Sequence, residues 1–222
     1  MSALTLAAFA ALAAACAPSV HVDTLAAVAR AESGLHPFAI GDNTGRRSFR
    51  PASAAEAAAL ARALLREGRS LDLGLMQVNS ANLSRLGMTV DDAFDPCRSL
   101  AAAERVLRDG WRAPPPGEDA QAALLRALSH YNTGHPERGF RNGYVARVQA
   151  AADAVVPALR LRGQAVPPAA DGQAERGVPA PPPPDWDVYG QARWRRSGAR
   201  PPAPPARDPP ARLEASVGQA PP

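Results

Sequence analysis

The sequence predicts a mainly α-helical domain followed by a disordered, proline-rich tail, and three observations support this. Of the 24 prolines, 15 fall in residues 167–222, so the last quarter of the chain lacks the composition of a packed core. The preceding part is rich in Ala and Leu, which favour helices. It contains few aromatic residues and few β-branched runs. We therefore expect one helical domain over residues 1–160 and a tail over residues 161–222.

The first 16 residues, MSALTLAAFAALAAAC, fit two interpretations. They resemble a signal peptide because an apolar stretch ends in small residues and a cysteine. A signal peptide requires a positively charged residue before its apolar stretch, and no Lys or Arg is present there. The stretch is also too short to cross a bilayer as a stable span. The alternative is a first core helix that Pro18 ends.

The next part of the chain predicts two helices separated by a loop. Asp23 is a suitable N-cap for an apolar helical pattern that Gly34 ends. Residues 38–52 contain many turn formers and are predicted as a loop. Ser53 and Glu56 then have the form of a capping box, which predicts a helix through Arg66.

A short stretch with a central glycine, SLDLGLMQVN, separates these helices from a second helical group. Apolar spacing and breakers predict the members of that group, which cover residues 81–87, 98–109, 118–132 and 142–156.

Charge and motif content narrow the classes of ligand. The net charge is +4 and all 25 basic residues are Arg, which would permit an anionic partner such as nucleic acid or a cell-wall polymer. The only Arg cluster is the short RWRR at residues 193–196, so we expect no nucleic acid. His130 and His135 lie five residues apart across a glycine without a third ligand, so we expect no metal. No phosphate-binding loop occurs, and we expect no cofactor.

Cys16 and Cys97 are the two cysteines of the chain. A disulfide between them would be typical of an exported protein, whereas two reduced, buried thiols are the alternative. Their spacing alone does not decide between these.

Four motifs occur in order: AESG with Glu32, GLMQVN at residues 74–79, ALSHYNTG at 127–134 and NGYVARV at 142–148. Together they resemble the goose-lysozyme-like lytic transglycosylases, and within them the VirB1 branch of type IV secretion and conjugation systems. The resemblance covers about residues 14–155 and includes the shorter matches IGDN, SANL and FDPC.

The resemblance implies that Glu32 is the catalytic acid of a peptidoglycan lytic transglycosylase. Such an acid needs an apolar setting that raises its pKa. In the family it protonates the bond between N-acetylmuramic acid (MurNAc) and N-acetylglucosamine (GlcNAc). It then accepts the proton of the MurNAc C6 hydroxyl, which closes a 1,6-anhydro ring. Most glycosidases use two carboxylates. Asp42 or Asp72, which lie near the motifs, could be the base that activates water, so a water-using muramidase is the alternative enzyme.

The resemblance also assigns substrate-binding residues, namely Ser33, Met76, Gln77, Asn79, Tyr131 and Asn132. Amide side chains such as Gln77 and Asn79 suit sugar hydroxyls and N-acetyl groups, although both could instead satisfy backbone groups in a buried turn. Tyr131 could instead be a residue of the hydrophobic core. For Tyr144 we favour a core position over a substrate contact.

Further expectations follow from the same resemblance. It favours a Cys16–Cys97 disulfide, a compact lysozyme-like fold with at most a small β-hairpin near LGLMQV, and a location in the periplasm or cell envelope. The substrate would be peptidoglycan glycan strands. The helix predicted over 53–66 is an insertion that we hypothesise to cover the groove. A tail segment with aromatic residues, PPPPDWDVYGQARW, suggests contact with other secretion components, so a mainly non-catalytic assembly factor is a further alternative.

Overall fold

The computed structural model describes residues 3–114 and 119–163, which form eight α-helices and one small antiparallel sheet. The helices are α1 Leu6–Cys16, α2 Val22–Glu32, α3 Ala54–Arg66, α4 Leu83–Leu86, α5 Pro96–Gly110, α6 Ala120–Thr133, α7 Arg138–Arg141 and α8 Tyr144–Gly163. The strands are β1 Ile40–Asp42, β2 Arg47–Phe49, β3 Leu71–Leu73 and β4 Val78–Asn79. The mainly helical class is therefore confirmed. Residues 161–163 of the predicted tail belong to α8, and the rest of the tail lies outside the described residues.

Helix α2 lies at the centre of the domain, and the seven side chains of residues 23–29 are all buried. It packs mainly against α8 and also contacts α1. Asp23 was the predicted N-cap, but the cap is His21, whose Nδ1 accepts a hydrogen bond from the Asp23 amide at 3.2 Å. The buried Asp23 carboxylate instead binds Arg160 of α8, with Nη2 to Oδ2 at 2.9 Å. This ion pair joins the start of α2 to α8.

Helix α1 belongs to the core of the domain, which is the arrangement that the core-helix interpretation of residues 1–16 predicts. It packs against α2, α5 and α8 and buries Phe9 and Ala13. At its last residue, Cys16 forms a disulfide with Cys97 of α5, with the two Cα atoms 5.3 Å apart. Among the residues that the structure describes, no helix combines the length and apolar character needed to cross a bilayer.

The sheet has four strands in the order β2-β1-β3-β4 and is larger than the hairpin we predicted. Strands β1 and β2 arise from the segment that the turn formers predicted as a loop, since strands of three residues are too short for a clear alternating pattern. The buried side chains Ile40, Leu71 and Leu73 pack in one hydrophobic cluster with Ala57 and Ala61 of α3. Helix α3 thus covers one face of the sheet.

Two helices show how local sequence signals relate to the observed ends. Helix α3 begins as predicted, because Ser53 Oγ accepts a hydrogen bond from the Glu56 amide at 3.2 Å. Helix α8 continues seven residues past the predicted end and contains Pro157. Val155 and Val156 are buried just before that proline, and this packing holds the helix together where the proline removes one hydrogen bond.

Candidate active site

A cleft of about 530 Å³ lies between the sheet and helices α4, α5 and α6. The sheet and its turns provide Asn43, Asp72, Gln77, Val78 and Asn79. The helical walls provide Asn82, Arg85, Leu86, Ala102, Ala103, Val106 and residues 130–134, and Glu32 lies at the end of α2. Small apolar side chains of α5 therefore face polar side chains of the sheet across one groove.

The turn after α2 explains why the helix stops at Glu32. Gly34 and Leu35 both adopt left-handed backbone angles, with φ of 65° and 67°, and this conformation ends an α-helix. Ser33 is buried, and its Oγ donates a hydrogen bond to the Leu75 carbonyl oxygen at 2.7 Å. That bond ties the end of α2 to the turn formed by residues 74–77, which we call the GLMQ turn. Glu32 is thereby held at a fixed place beside that turn.

The setting of Glu32 raises the pKa of its carboxyl from 4.5 to about 7. Burial is the main cause, since it disfavours the charged form. The hydrogen bond from Tyr144 opposes this increase, the negative charge of Asp72 adds to it, and the positive charge of Arg147 opposes it. A carboxyl with this pKa is partly protonated near neutral pH, so it is able to donate a proton and to accept one back.

Two tyrosines on different helices support this corner of the cleft. Tyr144, the first residue of α8, donates a hydrogen bond from its hydroxyl to Glu32 Oε1 at 2.7 Å. Tyr131 of α6 donates to the Met76 carbonyl oxygen, also at 2.7 Å. Burial, followed by the nearby charge of Glu32, raises the pKa of both phenols well above the usual value. Both tyrosines therefore act as neutral hydrogen-bond donors.

The GLMQ turn is fixed from several sides. A Cβ at Gly74, where φ is 75°, would lie 1.8 Å from the Ala93 carbonyl oxygen, so this position requires glycine. Met76 is fully buried, and its amide donates a hydrogen bond to Ser99 Oγ of α5 at 3.1 Å. The turn is consequently joined to α2, α5 and α6 by side-chain hydrogen bonds.

Gln77 ends this turn in an unusual backbone conformation for a non-glycine residue, with φ of 49°. Its Nε2 donates hydrogen bonds to the carbonyl oxygens of Gly74 at 2.9 Å and Ala39 at 3.1 Å. A Cβ at Gly41 would lie 3.0 Å from Gln77 Oε1, so the glycine of the IGDN motif leaves space for this amide. The oxygen of the amide remains as an acceptor at the cleft, where Gln77 is a lining residue.

Asp72 shares the cleft with Glu32. Its two carboxylate oxygens accept hydrogen bonds from Asn79 Nδ2 at 2.8 Å and Asn43 Nδ2 at 2.9 Å. Asp42 does not line the cleft. It is buried and binds the Gly45 amide at 2.7 Å, and the same bond is the main cause of a lowered Asp42 pKa. Of the two carboxylates considered for a water-using mechanism, Asp72 is therefore the one positioned to act in the cleft.

The structure brings most of the predicted site residues together. Gln77, Asn79, Tyr131 and Asn132 line the cleft with Glu32. Asn79 Oδ1 also accepts a hydrogen bond from the Ala81 amide at 3.0 Å, and Asn132 Oδ1 accepts one from Asn142 Nδ2 at 2.9 Å. Asn79 therefore has both a structural role and access to the cleft.

Two predicted sugar contacts require correction. Ser33 and Met76 are buried and are absent from the cleft lining, so neither side chain is presented to a ligand. Ser33 holds the GLMQ turn through its bond to Leu75, and Met76 is a buried member of that turn. Tyr144 is buried, as the core interpretation expected, but it also contacts the catalytic candidate Glu32. The insertion helix α3 contributes none of the described cleft-lining residues, and it covers the sheet rather than the groove.

Sequence reasoning did not identify several other cleft residues, such as Asn43, Asn82, Arg85 and, as a lining residue, His130. Three of them lie within matches given above, namely Asn43 in IGDN, Asn82 in SANL and His130 in ALSHYNTG, and these were the available signals. In residues 3–114 and 119–163, no group of three or more His, Cys, Asp or Glu side chains is arranged to hold a metal ion.

Comparison with known proteins places this cleft in a family. The family model described as "Transglycosylase SLT domain" matches residues 9–152. Protein virB1 of Rhizobium radiobacter is 41% identical over 198 residues, covering 87% of this chain and 79% of the relative. Type IV secretion system protein virB1 of Brucella suis biovar 1 (strain 1330) is 40% identical over 166 residues, covering 68% of this chain and 69% of the relative.

No solved structure matches the chain. The family match includes helices α2, α5 and α6 and the GLMQ turn, which together carry Glu32 and most of the cleft. The chain therefore belongs to the SLT transglycosylase family, within which it is similar to the VirB1 proteins.

Proposed function

We propose that this protein is a peptidoglycan lytic transglycosylase that opens the cell wall locally during assembly of a type IV secretion or conjugation apparatus. The observation that carries the enzymatic part is Glu32 in the cleft with a pKa raised to about 7. A carboxyl that is partly protonated near neutral pH and lines a groove has the protonation state that glycosidic bond cleavage needs. The secretion context rests on the names of the VirB1 relatives.

The reaction proceeds in two proton transfers at Glu32. In the first, the protonated carboxyl donates its proton to the oxygen between MurNAc C1 and GlcNAc C4, and the C1–O bond breaks with its electron pair on the departing GlcNAc oxygen. In the second, the Glu32 carboxylate removes the proton of the MurNAc C6 hydroxyl while O6 bonds to C1. The products are a 1,6-anhydroMurNAc end and a GlcNAc end, and Glu32 regains its proton.

The neighbours of Glu32 have separate roles in this proposal. Tyr144 holds one carboxyl oxygen through its hydrogen bond at 2.7 Å, which orients the carboxyl for both transfers. Gln77, Asn79, Tyr131 and Asn132 line the groove, where they bind sugar hydroxyl and N-acetyl groups. Ser33 and Tyr131 keep the GLMQ turn in place through their bonds to Leu75 and Met76.

A water-using muramidase is the second candidate, and one observation favours it. Asp72 lies in the same cleft with its carboxylate oriented by Asn43 and Asn79, as a base for an attacking water would be. Digestion in isotopically labelled water separates the two mechanisms. The transglycosylase reaction incorporates no label and leaves MurNAc ends that resist borohydride reduction. Labelled, reducible MurNAc ends would favour the muramidase.

The biological part of the proposal has its own test. Replacing the chromosomal copy with Glu32→Gln lowers the frequency of conjugation or secretion, because the envelope is opened less often.

A finer proposal is that the C-terminal tail recruits secretion components. A pull-down with the tail alone as bait tests it, and failure to retain any envelope protein contradicts recruitment. We place the protein in the periplasm, where its substrate lies.

A further inference from the structure

A second groove adjoins the catalytic cleft and lies between α4 and α5. It has a volume of about 240 Å³ and is lined by Leu86, Gly87, Met88, Arg98, Ala101, Ala102 and Arg105, which we call the α4–α5 groove. Leu86 and Ala102 line both this groove and the catalytic cleft. The two grooves therefore adjoin at these two side chains, within reach of one branched ligand.

The spacing along α5 builds the groove. Arg98 and Arg105 are seven residues apart, so they lie on one face of the helix about 10 Å from each other. Ala101 and Ala102 lie between them on the same face. Their small side chains leave an apolar floor with a cationic side chain at each end. That shape suits a short chain segment with an anionic group.

The two arginines differ in how far they are neutralised. Arg98 pairs with Asp92, with Nη1 to Oδ1 at 3.1 Å. Arg105 is exposed and makes no hydrogen bond or ion pair with any residue that the structure describes. Arg85, which lines the catalytic cleft but not this groove, pairs with Asp109 at 3.1 Å. Arg105 is thus the cation of this groove whose charge is available to a ligand.

The charges of the two grooves match different parts of peptidoglycan. The cleft around Glu32 and Asp72 carries carboxyl groups and amides, which fit neutral sugars with hydroxyl and N-acetyl groups. The stem peptide that branches from the MurNAc lactyl group carries free carboxylates. An Arg beside an apolar floor is complementary to a carboxylate next to aliphatic side chains.

From this shared lining and from charge complementarity, we infer that the α4–α5 groove binds a stem-peptide carboxylate through Arg105 while the attached glycan occupies the catalytic cleft. The inference rests on the proposed function, because it takes peptidoglycan as the substrate. It adds a recognition element: the enzyme distinguishes glycan strands that carry peptides from strands that amidases have stripped.

The test measures binding in the Glu32→Gln protein, so that strands are not cut. Soluble uncrosslinked strands are prepared in two forms, with stem peptides and after removal of the peptides by an amidase. Arg105→Gln weakens binding of the peptide-bearing strands about threefold and Arg105→Glu about tenfold, and neither changes binding of the stripped strands. The loss shrinks at high salt because the pairing is partly exposed.

Arg66→Gln is the matched control. Arg66 is an exposed arginine of α3 that lines neither groove, so its replacement leaves both affinities unchanged. Equal binding of the two strand forms by the parent protein would overturn the inference. An equal loss on both forms in the Arg105 variants would do the same, because it would indicate a glycan contact or a folding defect. Thermal unfolding of each variant identifies the latter.

The proposed function has its own readout, which is product formation by the protein that retains Glu32. If that protein releases no products while the peptide-dependent binding difference remains, the proposed enzymatic function fails and the groove assignment stands. If products form and the binding difference is absent, the groove assignment fails alone.

Discussion

The protonation of Glu32 depends on neighbours that act in opposite directions. Burial and the negative charge of Asp72 raise the pKa of its carboxyl, while the Tyr144 hydroxyl and the Arg147 guanidinium lower it. Arg147 also lies over the Tyr144 ring, with its guanidinium carbon 5.5 Å from the ring centroid. These groups come from β3 and α8, so the acid is adjusted by residues far from it in sequence. The balance leaves the pKa near 7, where one carboxyl serves both proton transfers.

This balance predicts the pH dependence of activity. The first step needs protonated Glu32, so kcat/KM falls as the pH rises through about 7. Asp72→Asn removes a negative charge that disfavours ionisation, so the Glu32 pKa decreases and the fall in kcat/KM moves to lower pH by roughly half a unit or more. Initial rates of muropeptide release between pH 5 and 9, compared with the parent protein, provide the measurement.

Tyr144→Phe is expected to shift the pH profile in the direction opposite to that of Asp72→Asn. It removes a hydrogen bond that favours the charged carboxylate, so the fall in kcat/KM moves to higher pH. Shifts of the two variants in the same direction would contradict this account of Glu32. A uniform loss of activity at every pH in Asp72→Asn, with the profile unmoved, would instead assign Asp72 to the chemistry, as in a muramidase.

At the scale of single elements, the GLMQ turn and the disulfide have the clearest structural requirements. The turn connects β3 to β4 and brings Gln77 to the cleft, and it is possible only because Gly74 allows the Ala93 carbonyl to approach. The disulfide fixes the end of α1 to the first turn of α5, which is one wall of the cleft. Each makes a separate prediction.

Gly74→Ala is expected to destabilise the domain strongly and to reduce activity. Its backbone has φ of 75° and the new Cβ would meet the Ala93 carbonyl oxygen at 1.8 Å, so the turn must move. Gly68→Ala is a matched control with the same φ of 75° and no atom within 4 Å of the new Cβ. Urea unfolding measures the free energy of unfolding of each variant. We expect a loss of about 1–2 kcal/mol for Gly68→Ala from the backbone alone, and a clearly larger loss for Gly74→Ala. Equal losses would contradict the packing argument.

The disulfide prediction concerns the unfolded chain. Cys16 and Cys97 are 81 residues apart in sequence, and closing a loop of that length is worth about 4 kcal/mol in the chain-entropy description. Reduction, or the double change of Cys16→Ala and Cys97→Ala, therefore lowers Tm by about 10 °C. The double variant is its own control, since reductant should not change its Tm further. A wild-type Tm that does not respond to reductant would contradict this role.

At the scale of the whole molecule, the longer helices were predictable, and the resemblance gave the β3–β4 hairpin. Strands β1 and β2 and the short helix α7 were not predicted. Alanine- and leucine-rich periodicity and the capping box at Ser53 gave helix positions close to those observed. The strands have two or three residues each, which is too short for a clear alternating pattern, and β1 pairs with β3 across the whole of α3. Their existence depends on tertiary contacts with α3 and the GLMQ turn.

The site was predictable in composition but not in geometry. The motifs identified Glu32, Gln77, Asn79, Tyr131 and Asn132 as residues that belong together. They did not indicate that Tyr144, 112 residues away from Glu32, donates a hydrogen bond to it. Nor did they separate Asp72, which faces the cleft, from Asp42, which is buried elsewhere. Such distinctions depend on which face of a short strand carries each side chain.

The most direct test of the central claim is mass spectrometry of muropeptides that purified sacculi release with the wild-type protein and with Glu32→Gln. We predict 1,6-anhydroMurNAc products from the wild type and a loss of at least about a hundredfold in the variant, since its amide cannot donate the proton. Unfolding curves confirm that the variant is folded. Retention of anhydro products by Glu32→Gln at the wild-type rate would contradict the assignment of Glu32 as the catalytic acid.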